Sequence, residues 1–346
     1  MDFKYVPIIR NRSAERTSII KQSYSNKILP LLEMVVDKPT VKSKYNYFDD
    51  HTKFFDDIKS KILVDIPMNI KTSLKTIKNI RTFLKPIYDN PSTRVDYLKK
   101  LSSNPSKFIP VISYNPNKEY NSGFLRNQEK TLRGDFKNLA FRLFSKHSIN
   151  AANEIIPLLK DDDIILIDIE KPYSKNDKKL IELYKSINNL KTTKKIKTVI
   201  IHTAIPKTFK KSSMVNQSIL NEISTDLLKD FKTLNFDAFG DYCGIKNLPL
   251  ENTKAVYPSY IHYNGQKNVY VGFKGNFNKP ITFTTKVLPI YTTSSCWNSI
   301  SSDHIDKCCG CKKILAMQSG KSKINSPRTW KSITISHHIR EMDEIL

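Results

Sequence analysis

Glycine is scarce, with nine in 346 residues. That excludes a glycine-rich β-protein and leaves neither a GxGxxG nor an intact P-loop. The nearest approach to a P-loop is Gly320-Lys321-Ser322, and Leu315 stands five places earlier where glycine is required. Nucleotide sites of those two kinds are therefore not expected. Cysteine is sparse as well: five residues, the first being Cys243 after 242 others. An odd number so placed argues against a disulfide framework and for a reducing cytoplasm. No apolar run approaches the ~18 residues of a membrane span. The opening Met1-Asp2-Phe3-Lys4-Tyr5 lacks the basic-then-apolar pattern of a secretory signal. Cytoplasmic localisation without a membrane partner is the expectation. Acids are also few: 33 Asp and Glu face 57 Lys and Arg, a formal charge of +24. Lysine-rich coding bias would enrich lysine without making acids scarce. An excess of this size attracts polyanions, so nucleic acid is the leading partner class. Anionic membrane surface comes second, and a merely solvated basic surface is the bland alternative.

What the chain has is a rhythm. Short apolar runs recur at Tyr5–Ile9, Ile28–Met34, Ile62–Ile66, Phe108–Ser113, Leu139–Leu143, Ile164–Ile169, Thr198–His202 and Phe236–Gly240. Continuous runs of this kind suit parallel strands buried on both faces. Helix-compatible stretches lie between them: Ala14–Tyr24 capped by Ser13, Phe54–Lys61, Ser73–Phe83, Pro91–Ser102, Ser174–Asn189 and Asn216–Leu234. Eight such repeats over residues 1–245 predict an α/β fold, a (β/α)8 TIM-like barrel. A doubly wound open sheet is the alternative, but its glycine-rich first turn is replaced by Arg10-Asn11-Arg12-Ser13.

Residues 246–346 read as a basic, aromatic, β-rich extension packed on the barrel. Asn252–Ser302 contains no acid. There Tyr257, Tyr260, Tyr263, Tyr270, Phe273, Phe277, Phe283, Tyr291 and Trp297 interleave with Lys254, Lys267, Lys274, Lys279 and Lys286. Alternation in Tyr257–Tyr263 and Asn268–Phe273 around Asn264-Gly265 predicts a β-hairpin. Outward aromatics would stack on bases; inward ones would form the buried face of the hairpin. Lys307–Arg340 again lacks acids, and a last strand or helix carries Trp330, Ile333, Ile335 and His337-His338.

Barrel enzymes gather their chemistry at the C-terminal ends of the strands. Those ends here carry Arg10, Glu33, Asp65, Ser113-Tyr114, Arg142, Asp168 with Glu170, His202, and Asp241-Tyr242. Buried carboxylates and arginines are rarely unpaired, so one shared polar pocket is expected over the barrel mouth. Polar residues also appear wherever strands exit to loops, but Asp65, Arg142 and Asp168 each have apolar neighbours on both sides. Asp168 and Glu170, two apart on one strand face, suit a divalent metal or an acid–base pair; a structural ion pair between Asp168 and Arg142 is the alternative. Asp65, Asp168, Glu170, His202, Asp241 and His337 are the candidate catalytic residues. Arg10, Glu33, Arg142 and Tyr242 are the candidate substrate-binding ones. Cys296, Cys308, Cys309 and Cys311, with His304 nearby, offer enough donors for zinc. Cys309-x-Cys311 is too tight for a common zinc knuckle, however, and Cys308 adjoins Cys309. Free thiols of lowered pKa are therefore expected, and no metal ligand is assigned.

Several segments together resemble the phage beta protein family, found in phages and in bacterial mobile or defence-associated loci. They are Tyr5-Val6-Pro7-Ile8-Ile9-Arg10 with Glu15, Ile28-Leu29-Pro30-Leu31-Leu32-Glu33, Ile109-Pro110-Val111, Ile165-Leu166-Ile167-Asp168, Phe239-Gly240-Asp241-Tyr242, and Trp330 with Ile333-Thr334-Ile335-Ser336-His337-His338-Ile339. The resemblance covers nearly the whole chain. It implies weight on Arg10, Glu15, Glu33, Asp168, Asp241 and His337, and a protein partner from the same locus. It supplies context and no mechanism. Three functions follow as alternatives: a barrel hydrolase acting on a phosphodiester, nucleotide or nucleic acid; a non-catalytic nucleic-acid-binding subunit; and a phage–host protein-interaction module.

Overall fold

A computed structural model describes the chain apart from residues 52–53, 56–57, 59, 177–190, 192–193, 248–249, 252–254 and 323. Eight parallel strands close into a barrel: β1 (Tyr5–Arg10), β2 (Leu31–Glu33), β3 (Ile62–Asp65), β4 (Phe108–Ser113), β5 (Ala140–Phe144), β6 (Ile164–Asp168), β7 (Lys197–Ile201) and β9 (Ala238–Asp241). Closure between β1 and β9 pairs Val6 with Gly240. All eight apolar runs became these strands, so the barrel is observed and no open edge remains.

Period-two alternation decides which side chains go where. One set, including Val6, Ile8, Leu31, Leu63, Val111, Ala140, Leu166, Val199, Ile201 and Ala238, fills the barrel interior as its own apolar cluster. The other set, including Tyr5, Ile9, Leu32, Val64, Ile112, Phe141, Ile165, Ile167, Ile200 and Phe239, faces outward and packs beneath the helices.

The helices differ in detail from expectation. The first runs Ser13–Ile20, with Arg12 at its N-cap and no side-chain cap bond, so Ser13 is not the cap. The helix expected over Ser73–Phe83 is Lys78–Asp89; its start is delayed because Thr76 bridges Glu251 and the Ile77 N–H bonds to the Leu250 carbonyl. The helix expected over Pro91–Ser102 is Ser92–Lys99 continued by one 3-10 turn. Asn216–Leu234 is not one helix: it holds strand β8 (Ser218–Ile219) and a short helix, Asp226–Asp230. The Phe54–Lys61 segment in part, and Ser174–Asn189 from residue 177, lie outside the described residues.

The extension opens with the expected hairpin, β10 (Ser259–Asn264) and β11 (Val269–Lys274). β8 adds to its edge from within the β7–β9 connection, pairing Ile219 with Val271. Beyond the hairpin the extension is helical rather than β-rich: Ser302–Lys307, Cys309–Gln318 and the 19-residue terminal helix Pro327–Ile345 are its main pieces. The terminal helix clamps the barrel to the hairpin. Its Lys331 pairs with buried Glu15 of the first helix, its Ser336 carbonyl accepts from Gln22, and its Glu341 accepts from the Gly265 N–H at 2.7 Å.

Candidate functional site

The alternation that fills the barrel with aliphatics places a charged layer above them. Arg10 is register partner of Glu33, and Glu33 of Asp65, on three neighbouring strands. Arg142 projects from β5 across the interior and is fully buried. Its Nη1 donates to Asp65 at 2.7 Å and Glu33 at 3.0 Å, and its Nε and Nη2 donate to Asp168. The Tyr242 hydroxyl lies 3.4 Å from both Glu33 and Arg142. Arg10 donates to the second oxygen of Glu33 at 3.2 Å and to Asn247. A third guanidinium comes from outside the barrel. Arg94, also fully buried, bonds Asp65 at 2.7 Å, Gln128 and the carbonyls of Ile66 and Val111. Three guanidiniums thus face three carboxylates, so the layer is close to neutral. Burial opposes the charge on Glu33, but Arg142 and Arg10 outweigh it and hold the carboxyl below its ordinary range. At Asp168 burial wins over Arg142 and the carboxyl is raised.

Glu170 is the acid outside this balance. It sits at the rim in the left-handed region, φ 55°, which a non-glycine residue seldom adopts. Its N–H caps the Asp168 carboxylate at 2.9 Å, and its own carboxyl takes a hydrogen bond from the neutral Asn69 amide at 3.1 Å. Burial raises its pKa, and the neighbouring Asp168 charge raises it further. Nearby, the Ser113 hydroxyl, on the interior face of β4, and the Asn69 carbonyl oxygen are buried with no hydrogen-bond partner among the described residues. The mouth therefore offers a carboxyl of raised pKa, a partly exposed arginine and, among the described residues, unpaired polar atoms.

The remaining candidates do not join it. Asp241 has the outward phase of β9, opposite to Tyr242, so the single expected pocket is split. Its carboxylate accepts from the Tyr5 hydroxyl and from the Cys243 N–H, and lies 3.4 Å from His338 of the terminal helix. Burial works against its charge, but His338, His202 and Tyr5 hold it well below the carboxylate range. His202 likewise leaves β7 outward; it accepts from the Tyr173 N–H, and burial lowers it to about 4. Glu15 serves the clamp through Lys331. His337 is bonded to His304 and the Tyr263 carbonyl, away from the charged layer.

Two further corrections concern the extension. Seven of the nine interleaved aromatics are buried; Tyr257 and Phe277 are the two that are not, and they pack on each other at 5.6 Å. The hairpin needs those rings as its core, so stacking on bases is not broadly available. Lys267, Lys279, Lys286, Lys312 and Lys321 are exposed, while Lys254 lies outside the described residues. Nor are the cysteines loose thiols in a basic loop. Cys308 and Cys311 are buried in the extension's core, and Cys309 points elsewhere, to Ser336 at 3.1 Å. Cys308 and Cys311 meet His304 and His337 in the larger of the two groups of metal-ligating side chains found among the described residues. Burial opposes charge on both His304 and Cys308. The Cys308 sulfur and the Glu344 and Glu341 carboxylates nevertheless push His304 up to about 9, while Cys311, His304 and His337 hold the Cys308 thiol down.

None of the five cysteines forms a disulfide. Among the described residues no helix is long and apolar enough to cross a membrane. No curated protein matches the chain. The model of the Beta protein family matches residues 5–343, spanning both the barrel and the extension, and the chain belongs to that family.

Proposed function

We propose that this protein is a cytoplasmic barrel hydrolase acting on a phosphodiester, in a nucleotide or in nucleic acid, within the phage- or defence-associated setting that its resemblance implies. The observation that carries this reading is Glu170: a rim carboxyl with raised pKa, bonded to a neutral amide beside a balanced ionic layer. Such a group suits general acid catalysis at higher pH than an ordinary glutamate would. Arg10, braced by Glu33 and Asn247, would hold the anionic phosphoryl oxygens. Water oxygen would bond to phosphorus, the ester P–O bond would break, and the Glu170 proton would pass to the departing oxygen. The water's proton then restores Glu170. Arg142, engaged by Glu33, Asp65 and Asp168, and Asp168, engaged by Arg142 and the Glu170 N–H, are positioning residues here.

The exposed lysines of the extension would hold a polyanion and bring it to the mouth. Each phosphate neutralised should add about 0.7–0.9 to the log–log salt slope. The test is cleavage of labelled single- and double-stranded DNA and RNA, and of a chromogenic phosphodiester, by wild type and Glu170→Gln. The reading expects cleavage that falls at least tenfold in the variant. No cleavage of any substrate by wild type, or equal cleavage by both, overturns it. If binding persists without cleavage, and weakens when Lys279, Lys286 and Lys321 become Glu, the protein is a non-catalytic binder.

A further inference from the structure

Apart from the barrel mouth, and independent of the reading given to it, the extension holds a compact cluster of nitrogen and sulfur donors. The local sequence is His304-x3-Cys308-x2-Cys311. The helix carrying His304 ends at Lys307, and Cys308, at φ −91° and ψ 111°, breaks the run and becomes the N-cap of the next helix. Its sulfur accepts the Cys311 N–H at 3.4 Å, so one turn of chain delivers both sulfurs to the side where His304 lies. His337 comes from the terminal helix. The two helices approach closely because residue 310 is glycine: a Cβ there would stand 2.8 Å from the Ile333 carbonyl oxygen.

The four donor atoms all lie within 4.8 Å of one another. His304 Nε2 is 3.0 Å from His337 Nδ1, and Cys311 Sγ is 3.5 Å from that same nitrogen. Zinc bonds of about 2.0–2.1 Å to nitrogen and about 2.3 Å to sulfur give tetrahedral edges of about 3.3–3.8 Å. Small shifts would bring the cluster onto that figure.

Hydrogen bonding on the far sides of the rings points the same way. His337 Nε2 faces the Tyr263 carbonyl at 3.0 Å, and a carbonyl can only accept. His304 Nδ1 faces the Glu344 carboxylate at 2.9 Å. His337 therefore carries its proton on Nε2 and turns its Nδ1 lone pair inward; His304 donates outward from Nδ1, and a metal would replace the proton that its Nε2 otherwise shares with His337. A cation among these four buried donor atoms would take over from the shared protons that otherwise join them. Carbonyl or carboxylate bonds of this kind are how metal-bound histidines are oriented.

We infer that His304, Cys308, Cys311 and His337 form a structural zinc site that fastens the Ser302–Lys307 and Cys309–Gln318 helices to the terminal helix. Two thiolates and two imidazoles select zinc over magnesium or calcium, which favour oxygen. All four residues are at most 2% exposed, so no coordination position is left for substrate. The metal would reach the site past Glu341 and Glu344, which line a cavity abutting His304. Its role would be mechanical: His338, next to a ligand, touches Asp241 at the end of β9, so the site braces the terminal helix against the barrel.

The experiment is elemental analysis of the full-length protein, purified without chelator or affinity metal, alongside Cys308→Ser, Cys311→Ser, Cys296→Ser and Cys309→Ser. One zinc per chain is expected in wild type and in Cys296→Ser and Cys309→Ser, falling near zero in the other two. Because losing a ligand also removes the brace on the fold, metal-stripped wild type is also titrated with cobalt, which should develop the visible absorption of a tetrahedral thiolate complex and lose it to added zinc. Wild type that neither carries zinc nor gives the cobalt spectrum overturns the inference, and the cluster is then a thiolate–imidazolium pair. Undiminished zinc in folded Cys308→Ser overturns it too.

Discussion

Replacing Arg142 with methionine tests the charged layer directly. The substitution keeps an unbranched side chain of comparable length but removes the donors that Arg142 offers to Glu33, Asp65 and Asp168. Removing one partner of a buried ion pair costs about 3–5 kcal/mol, and Arg142 serves three carboxylates, so the upper end of that range is expected at pH 7. Against a total stability of about 5–15 kcal/mol, the loss is large. It should also depend on pH in a definite direction. Glu33 keeps Arg10 and Asp65 keeps Arg94, but Asp168 is left buried without its guanidinium, so its folded-state pKa, already raised, rises further above the unfolded value near ~4. The penalty is full above the raised pKa and disappears as pH falls toward the unfolded one. Urea unfolding followed by circular dichroism and by fluorescence of Trp297 and Trp330, from pH 8 down to pH 5, measures it. The difference from wild type should shrink as pH falls, and adding Asp168→Asn to the variant should recover part of the loss. A loss under about 1 kcal/mol at pH 7, where about 3–5 is expected, or one that does not vary with pH, would refute the network as described.

Three other outcomes follow. Gly240→Ala places a Cβ 2.6 Å from the Val6 carbonyl oxygen where β9 closes on β1; overpacking should cost about 1–3 kcal/mol or more, and an unchanged melting temperature would contradict that register. Glu170→Gln should stabilise the protein above the raised pKa of Glu170 and lose that advantage as pH falls into the ordinary carboxyl range, because a raised folded-state pKa penalises only the charged form; thermal melts across pH check the sign. Tyr260→Leu should leave nucleic-acid affinity unchanged wherever the protein folds, since Tyr260 is 1% exposed, and a fall in affinity by filter binding would place that ring at the interface instead.

The barrel was legible because parallel strands buried on both faces leave unbroken apolar runs, and each of the eight is a strand. Asp65, Arg142 and Asp168 stood out because nothing but a partner can keep such residues inside such runs, and the partners proved to be one another. What misled was phase. Strand ends carry inward and outward residues in turn, and Asp241 and Tyr242 are adjacent with opposite phases. Counting both as mouth residues merged two environments that alternation along β9 separates. Arg94 was invisible: its neighbours in Ser92–Lys99 are mostly polar, and only the tertiary packing buries it. The two-residue strand β8 carries no period to detect. The Cys308-x2-Cys311 spacing was present in the sequence but masked by Cys309, and His337 is 26 residues further on, joined to it only by helix packing.

The most direct measurement is the pH dependence of kcat/KM for phosphodiester hydrolysis, in wild type and Glu170→Gln. With Glu170 as the proton donor, the wild-type rate falls as pH rises through its raised pKa, at higher pH than an ordinary glutamate near ~4.3 would give. The variant then loses that limb together with most of its activity. A variant that keeps both the activity and the wild-type profile would contradict the assignment of Glu170 and, with it, the catalytic reading of the barrel mouth.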